Sequence, residues 1–306
     1  MAFVIPTIPQ MGRPGVAEWV FFGIESASDQ WSRLLGMKMA SNFEYEDFRA
    51  LSDMNYATQL SEGSSIEIQT VYSPQNVQVY PINRAIGFEI SRQAKKVSLE
   101  TKVKAPLKQM GVVMAETKNL VVANIFALGH TDPQSSGTIT MDDEALFDSD
   151  HPIANGTSTA SNVGALALSA ANLETAVTAL RRQVTESGKP KVNAGGMFLV
   201  VPPSLWLVAR RIVESTQQAQ TANNDKNVVG DGIEVVVMDY ITASAMQDNW
   251  WLVMKNPAKN PLSMITRMPM DTDEDYDKRT LTHFYSAYEE YEVFAKDWRG
   301  TYGSSP

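Results

Sequence analysis

The sequence contains no cysteine. That excludes disulfides, thiol nucleophiles and the common cysteine-based structural zinc sites. Histidine is nearly as scarce. His130, His151 and His283 stand far apart, form no His-Glu-x-x-His pair, and read as ordinary loop or strand residues. No apolar run approaches the roughly 20 residues needed to cross a bilayer, and the longest candidate, 198–209, is interrupted by Pro202-Pro203. The opening MAFVIPTIPQMGRPG has no basic stretch and carries Pro6, Pro9 and Pro14, unlike a secretory signal. Positive charge is in deficit: 26 Lys and Arg face 35 Asp and Glu, a formal net charge of -9. A dedicated nucleic-acid reader, which needs clustered cations, does not fit that balance.

Signatures of catalysis are missing as well. Gly230-Asp231-Gly232 lacks the third glycine of a dinucleotide fingerprint and precedes a strand. There is no Walker loop and no Gly-x-Ser-x-Gly elbow. The run Asp271, Asp273, Glu274, Asp275, Asp277 puts carboxylates at calcium-loop positions 1, 3, 5 and 7. Tyr276 replaces the glycine at position 6, however, and Thr282 the glutamate at position 12. The run reads as a solvated acidic loop, with a cation site between subunits as the alternative. No residue is nominated as catalytic, metal-ligating or cofactor-binding, and no cofactor is called for.

What is present is a folded composition, 43% hydrophobic and 20% charged over 306 residues, enough for one large domain or two ordinary ones. Residues 1–44 are rich in proline and methionine, with a short helix expected near Asp29 to Met37. Their apolar side chains (Phe3, Trp19, Phe21, Phe22) suit an arm draped over its own domain or a neighbouring copy. Residues 44–90 read as a long hairpin arm with a turn at Glu62-Gly63-Ser64-Ser65 and a period-2 strand from Val77 to Ile90. A helix follows from Pro106, with Gly129 just past its end, carrying Leu107, Met110, Val113/Met114, Leu120/Val121 and Leu128 on one face. Residues 130–166 have little periodicity. From 168 to 262 the text alternates. Ser169 caps a helix stopped at Gly188, Met197–Val201 is a buried strand, Pro203 opens a helix, and Ile233–Asp239 and Trp250–Met254 are further strands. Residues 276–298 are strand-like and aromatic.

Charge is distributed unevenly. Residues 44–90 hold seven acids against two bases, net -5, and residues 91–118 hold seven bases against two acids, net +5. One reading is two solvated faces. The sharper one is complementarity between copies, one subunit's arm on the next subunit's rod. The residues nominated for that contact are Glu46, Asp47, Glu62 and Glu67 on the arm and Arg92, Lys95, Lys96, Lys102, Lys104 and Lys108 on and before the rod.

The order of these pieces carries a resemblance. A long hairpin closes with Gly87-Phe88-Glu89-Ile90-Ser91-Arg92, and a rod helix follows. Next come Leu146-Phe147-x-x-x-His151-Pro152, Ser161-Asn162 and Leu168-Ser169, and then Leu199-Val200-Val201-Pro202-Pro203 leads into a helix. Over residues 45–300 this resembles the major capsid protein of tailed bacteriophages, in particular the Mu-like head-subunit branch. The resemblance implies an α+β fold in four parts. These are an N-terminal arm (1–44), an extended E-loop (45–88), a peripheral domain with a long spine helix (89–166 and 263–306) and an α/β axial domain (167–262). It implies a structural, non-enzymatic subunit of the phage head, found in the virion and, during assembly, in the host cytoplasm. Its partners would be itself, in hexamers and pentamers, a scaffolding protein, a portal and in some cases a cement protein. Packaged double-stranded DNA would be contacted only non-specifically, and no membrane is involved. Some relatives cross-link through an E-loop lysine; residues 45–90 contain none, so a shell held by noncovalent contacts is expected. Two alternatives stay open: an encapsulin-type compartment with the same fold, and a soluble α/β enzyme built on 168–262.

Overall fold

The structure is a computed structural model and describes residues 15–71, 73, 75–97, 103–133, 139–153, 157–191, 193–215 and 230–306. Residues 1–14 of the expected N-terminal arm, and Lys102, lie outside them.

The chain opens with helix α1 (Gly15–Ser26), whose Val16, Trp19, Val20 and Gly23 follow helical spacing. Strand β1 (Met37–Ala40) follows, then β2 (Glu46–Ala50), β3 (Gln75–Val79), β4 (Ile82–Ser91) and the short helix α2 (Arg92–Val97). The rod α3 spans Ala105–Leu128, about 36 Å, within one residue of its expected bounds. Short strands β5 (His151–Ile153), β6 (Ser158–Ala160) and β7 (Val163–Gly164) lead to helix α4 (Ala170–Arg181). Strand β8 (Met197–Val201), a 3-10 turn at Pro203–Leu205 and helix α5 (Trp206–Glu214) come next. Strands β9 (Ile233–Val237), β10 (Trp250–Met254), β11 (Leu262–Asp277), β12 (Thr282–Ala295) and β13 (Thr301–Ser304) complete the chain.

Four expectations change. Residues 29–37 are not helical; the helix is α1. Trp31, Leu34 and Leu35 have helical spacing, but only a single turn forms (Leu34 N–H to Trp31 O, 3.1 Å) before Gly36 N–H bonds Leu262 O at 2.8 Å and the chain joins the sheet beside β11. The strand expected from Val77 to Ile90 breaks at Tyr80-Pro81, because proline has no N–H for a ladder. β3 pairs with β2, whereas β4 pairs with β12. The helix capped by Ser169 ends at Arg181 rather than Gly188, which instead takes φ +76° in a tight turn. The acidic run is not a loop. Asp271, Asp273, Asp275 and Asp277 alternate on the exposed face of β11, with Thr272, Glu274 and Tyr276 on the other face. The spacing taken for a calcium loop is the period of a strand.

Contacts divide the chain into two units, with α3, β11 and β12 running from one into the other. The first comprises Met1–Asp29, Ile82–Lys118 and Arg267–Tyr291. Its core packs Val20, Leu107, Met110 and Met114 against the sheet side chains Ile90, Tyr285 and Ala287. Gly23 and Gly111 let α1 and α3 cross closely: a Cβ on Gly111 would overlap the carbonyl oxygen of Val20 and lie 3.1 Å from Gly23 Cα.

The second unit comprises Gln30–Pro81, Asn119–Thr266 and Glu292–Pro306. Its five-stranded sheet runs β7-β13-β10-β8-β9, with β8 and β9 parallel and β8 and β10 antiparallel. β8 (MFLVV) and β10 (WWLVM) are buried throughout, as strands covered on both faces must be, so they read as unbroken apolar runs. One face packs Leu199, Trp250 and Leu252 against Leu173, Ala176 and Leu180 of α4, and Ala209 of α5. Ser169 caps α4, its Oγ accepting from Asn172 N–H at 3.2 Å. Among the described residues α3 alone has the length and composition to cross a membrane. Lys108, Glu116 and Lys118 break its apolar run, and both halves carry buried side chains, Leu107 and Met110 in one and Val122 and Phe126 in the other.

Candidate assembly surface

The arm is a hairpin paired only at its base. Glu46 opposes Val79 and Ala50 opposes Gln75. Extending that register places the reversal between Glu62 and Gly63, where Gly63 adopts φ +80° and Ser64 N–H bonds Ser61 O at 3.0 Å. Residues 51–71 between base and turn carry no strand. They also hold a series of exposed apolar side chains, including Leu51, Met54, Tyr56, Leu60, Ile66 (77% exposed) and Ile68 (93%). So much apolar surface on a thin arm is the mark of a surface that packs elsewhere.

The arm's root is anchored within the second unit. Asp53 accepts hydrogen bonds from Ser187 N–H (2.9 Å), Ser187 Oγ (2.7 Å) and Thr185 Oγ1 (2.8 Å), and pairs with Lys189 Nζ at 2.8 Å. Lys189 also donates to Met54 O and lies over the Tyr56 ring.

A second polar centre joins the Leu-Phe-x-x-x-His-Pro motif to the C-terminal segment. His151 is fully buried, stacked on Trp298 at 4.5 Å and 6°. Its Nδ1 lies 2.7 Å from Asp142 and its Nε2 3.0 Å from Asn162 Oδ1. The Asn162 amide is oriented by Nδ2 donating to Leu146 O (2.8 Å) and by Oδ1 accepting from Asp148 N–H (2.9 Å). Both ring nitrogens therefore lie at hydrogen-bond distance from a buried oxygen partner. The surrounding segment is acidic. Burial, with Asp148 and Asp142 nearby, pushes the Glu144 carboxyl up. His130 accepts from Trp251 Nε1–H at 3.2 Å, and burial lowers it to about 4, so it stays neutral. Among the described residues no group of three or more His, Asp or Glu converges as a metal site.

The nominated contact residues divide by placement. Asp47, Glu62, Glu67, Arg92 and Lys96 are exposed, with Asp47 paired to Arg49 at 2.8 Å. Glu46 accepts from Ser41 Oγ at 2.5 Å. Lys95 is held inside its own unit by Glu274 (2.9 Å) and Tyr285 OH (2.7 Å). Partial burial pulls Lys95 down, but Tyr285 and Glu274 outweigh it and hold the ammonium above its usual range. Lys104 and Lys108 lie over the rings of Trp19 and Phe22 of α1, at 4.8 and 4.6 Å. Reversing either charge would disturb α1 as well as the surface.

The profile of the family described as phage capsid protein matches residues 76–304. The chain belongs to that family. Its role is accordingly structural: it is a capsid protein of the phage head, assembled with copies of itself into a shell. By sequence, no curated protein matches this capsid chain. By structure it is similar to the mature capsid subunit of bacteriophage PhiM1 (TM-score 0.57, 10% identity, 89% of this chain and 86% of that one). It is equally similar to the capsid of an empty GTA particle (TM-score 0.57, 11% identity, 90% and 88%). It also resembles a virus-like particle from Pyrococcus furiosus (TM-score 0.52, 11% identity, 94% and 96%). At these identities the likeness is one of fold.

The exposed apolar side chains of the arm were not among the residues nominated from the sequence. Ile66 and Ile68, two apart beside a glycine turn, were a readable strand-like signal. Asp53 had none, because its partners lie over 130 residues away.

Proposed function

We propose that the chain is the major head subunit of a tailed phage. Copies of it close as hexamers and pentamers into an icosahedral shell around double-stranded DNA, without catalysis. The exposed apolar side of the arm carries this reading: a capsid protein whose arm leaves these side chains uncovered in its own chain is suited to cover a neighbour. The four parts are the N-terminal arm 1–44, the E-loop 45–88, the peripheral domain 89–166 and 263–306, and the axial domain 167–262. Scaffolding, portal and cement proteins complete the partners, and Mu-like head subunits are the branch it resembles. Electron microscopy of purified particles tests the whole. DNA-filled icosahedral shells are expected; protein-filled shells would favour an encapsulin-type compartment, and a small oligomer in size-exclusion chromatography would favour an enzyme.

In the same reading, contacts between copies run from Glu46, Asp47, Glu62 and Glu67 to Arg92, Lys95, Lys96, Lys102, Lys104 and Lys108. Arg92 and Lys96 give the cleanest test because both are exposed on α2. The double variant Arg92→Glu, Lys96→Glu is expected to keep the wild-type unfolding midpoint, since exposed charges add at most about 1 kcal/mol each. Particle yield should fall several-fold, most of all at low salt, where charge repulsion is least screened. Wild-type yield at every ionic strength would leave these residues as a solvated face.

A further inference from the structure

We propose that the turn at residues 183–191 is a positioning clip for the arm, with Asp53 as its latch. The clip sets the direction in which the arm leaves its own subunit, and so makes the apolar side chains beyond it competent to engage a second copy. This rests on the arm reading above and adds the part that aims it.

The clip is built before the arm meets it. Thr185 N–H bonds Lys189 O at 2.7 Å and Gly188 N–H bonds Thr185 O at 2.9 Å, a tight reversal that Gly188 permits with its positive φ. This places Thr185, Ser187 and Lys189 together on the Asp53 carboxylate. The reversal is tied into the buried interior. Arg299 Nε donates to Val184 O at 2.6 Å, and its Nη2 pairs with Glu186 at 3.3 Å. Gln183 Nε2 donates to Thr301 O at 2.8 Å, while its Oε1 accepts from Gly300 N–H at 2.7 Å. Gln183, Glu186 and Arg299 are all buried. A turn fixed at this many points is a rigid bracket, whereas residues 51–71 have no ladder to hold their course.

Asp53 is the joint between the two. Partial burial pushes its carboxyl up, but Lys189, Ser187 and Thr185 together outweigh burial and hold it well below the usual carboxylate range. The latch is therefore fully present above the ordinary aspartate value near 3.8 and is lost only as pH falls through the lower folded value. Beyond it, Lys189 grips Met54 O and covers Tyr56, so the clip fixes three to four residues of arm. A binding segment held in its bound direction avoids the ordering cost that a loose one incurs at every contact.

The test uses the absence of cysteine. Asp53→Ala and Asp53→Asn are expected to lower the urea midpoint of the subunit, because the carboxylate's bonds to Thr185, Ser187 and Lys189 go with the charge. They should speed hydrogen exchange at residues 53–60 and raise the subunit concentration needed for shells by roughly tenfold. The double variant Asp53→Cys, Ser187→Cys replaces the latch by a bond that can be switched. Oxidised, with the bond verified by mass, it should assemble like wild type; reduced, it should behave like Asp53→Ala. Two outcomes overturn the clip: both Asp53 variants assembling at the wild-type concentration, or the oxidised double variant failing to regain assembly. A variant with residues 55–70 replaced by a short Gly-Ser turn separates the two readings. If it assembles normally, the arm reading itself fails; if it fails while the Asp53 variants assemble, only the clip does.

Discussion

Replacing His151 with alanine is expected to cost the subunit about 3–5 kcal/mol, the range for emptying a buried aromatic-sized site in a core. Asp142, 4% exposed at its side chain, would lose its 2.7 Å hydrogen-bond partner. Asn162 Oδ1 would lose a donor, and a void would open against the Trp298 ring. The expected sign does not depend on packing alone. His151→Phe keeps a ring on Trp298 but makes neither polar contact, and should remain destabilised by most of the same amount. In a double-mutant cycle, Asp142→Asn in the His151→Phe background should cost much less than Asp142→Asn alone, because the contact it disturbs is already absent. Urea unfolding of the unassembled subunit measures all four states. A loss under about 1 kcal/mol for His151→Ala would show the ring to be a neutral spacer.

The second large effect is at the crossing of α1 and α3. Helix propensity favours alanine over glycine by about 1 kcal/mol in a helix interior, so Gly111→Ala would stabilise the protein if propensity decided. Sterics decide instead. The new methyl group would overlap the carbonyl oxygen of Val20, a backbone atom that moves only with its helix. Separating two packed helices costs roughly 1–3 kcal/mol or more beyond what propensity returns. A net destabilisation of about 2 kcal/mol is therefore expected, and a similar one for Gly23→Ala, whose methyl would overlap Lys108 O. Gly15→Ala is the internal control. Among the described residues nothing lies within 4 Å of its would-be Cβ, so its urea midpoint should hold steady or rise slightly. A stabilised Gly111→Ala would mean the helices do not cross so closely.

Where spacing along the chain carries the information, the sequence could be read closely. α3 was bounded within one residue by Pro106 and Gly129, although Leu120 and Leu128 of its expected face are exposed and Val122 and Phe126 are buried instead, and β8 and β10 matched their bounds because strands covered on both faces have no polar positions. The cap at Ser169 was legible for the same local reason. The errors arose where two periods or two partners compete. Trp31, Leu34 and Leu35 suit a helix, but Met37–Ala40 is captured by β11. Val77–Ile90 alternates throughout, yet Pro81 hands the chain from β2 to β12. The carboxylates of 271–277 satisfy the first positions of a calcium loop and also the alternation of a strand, and only their cross-strand surroundings distinguish the two. The charged rod was legible as a composition, but not the burial of Lys95 or the stacking of Lys104 and Lys108. Those depend on Glu274, Trp19 and Phe22, which are remote in sequence.

The row of aspartates on β11 has a further consequence for the unassembled protein. Asp271, Asp273, Asp275 and Asp277 stand on one exposed face at intervals of roughly 7 Å, less than the screening distance of about 8 Å at physiological salt. They act as a line of charge, not as separate points. Two such faces brought together would oppose one another along the whole row. Contact between two copies through this face is therefore electrostatically disfavoured.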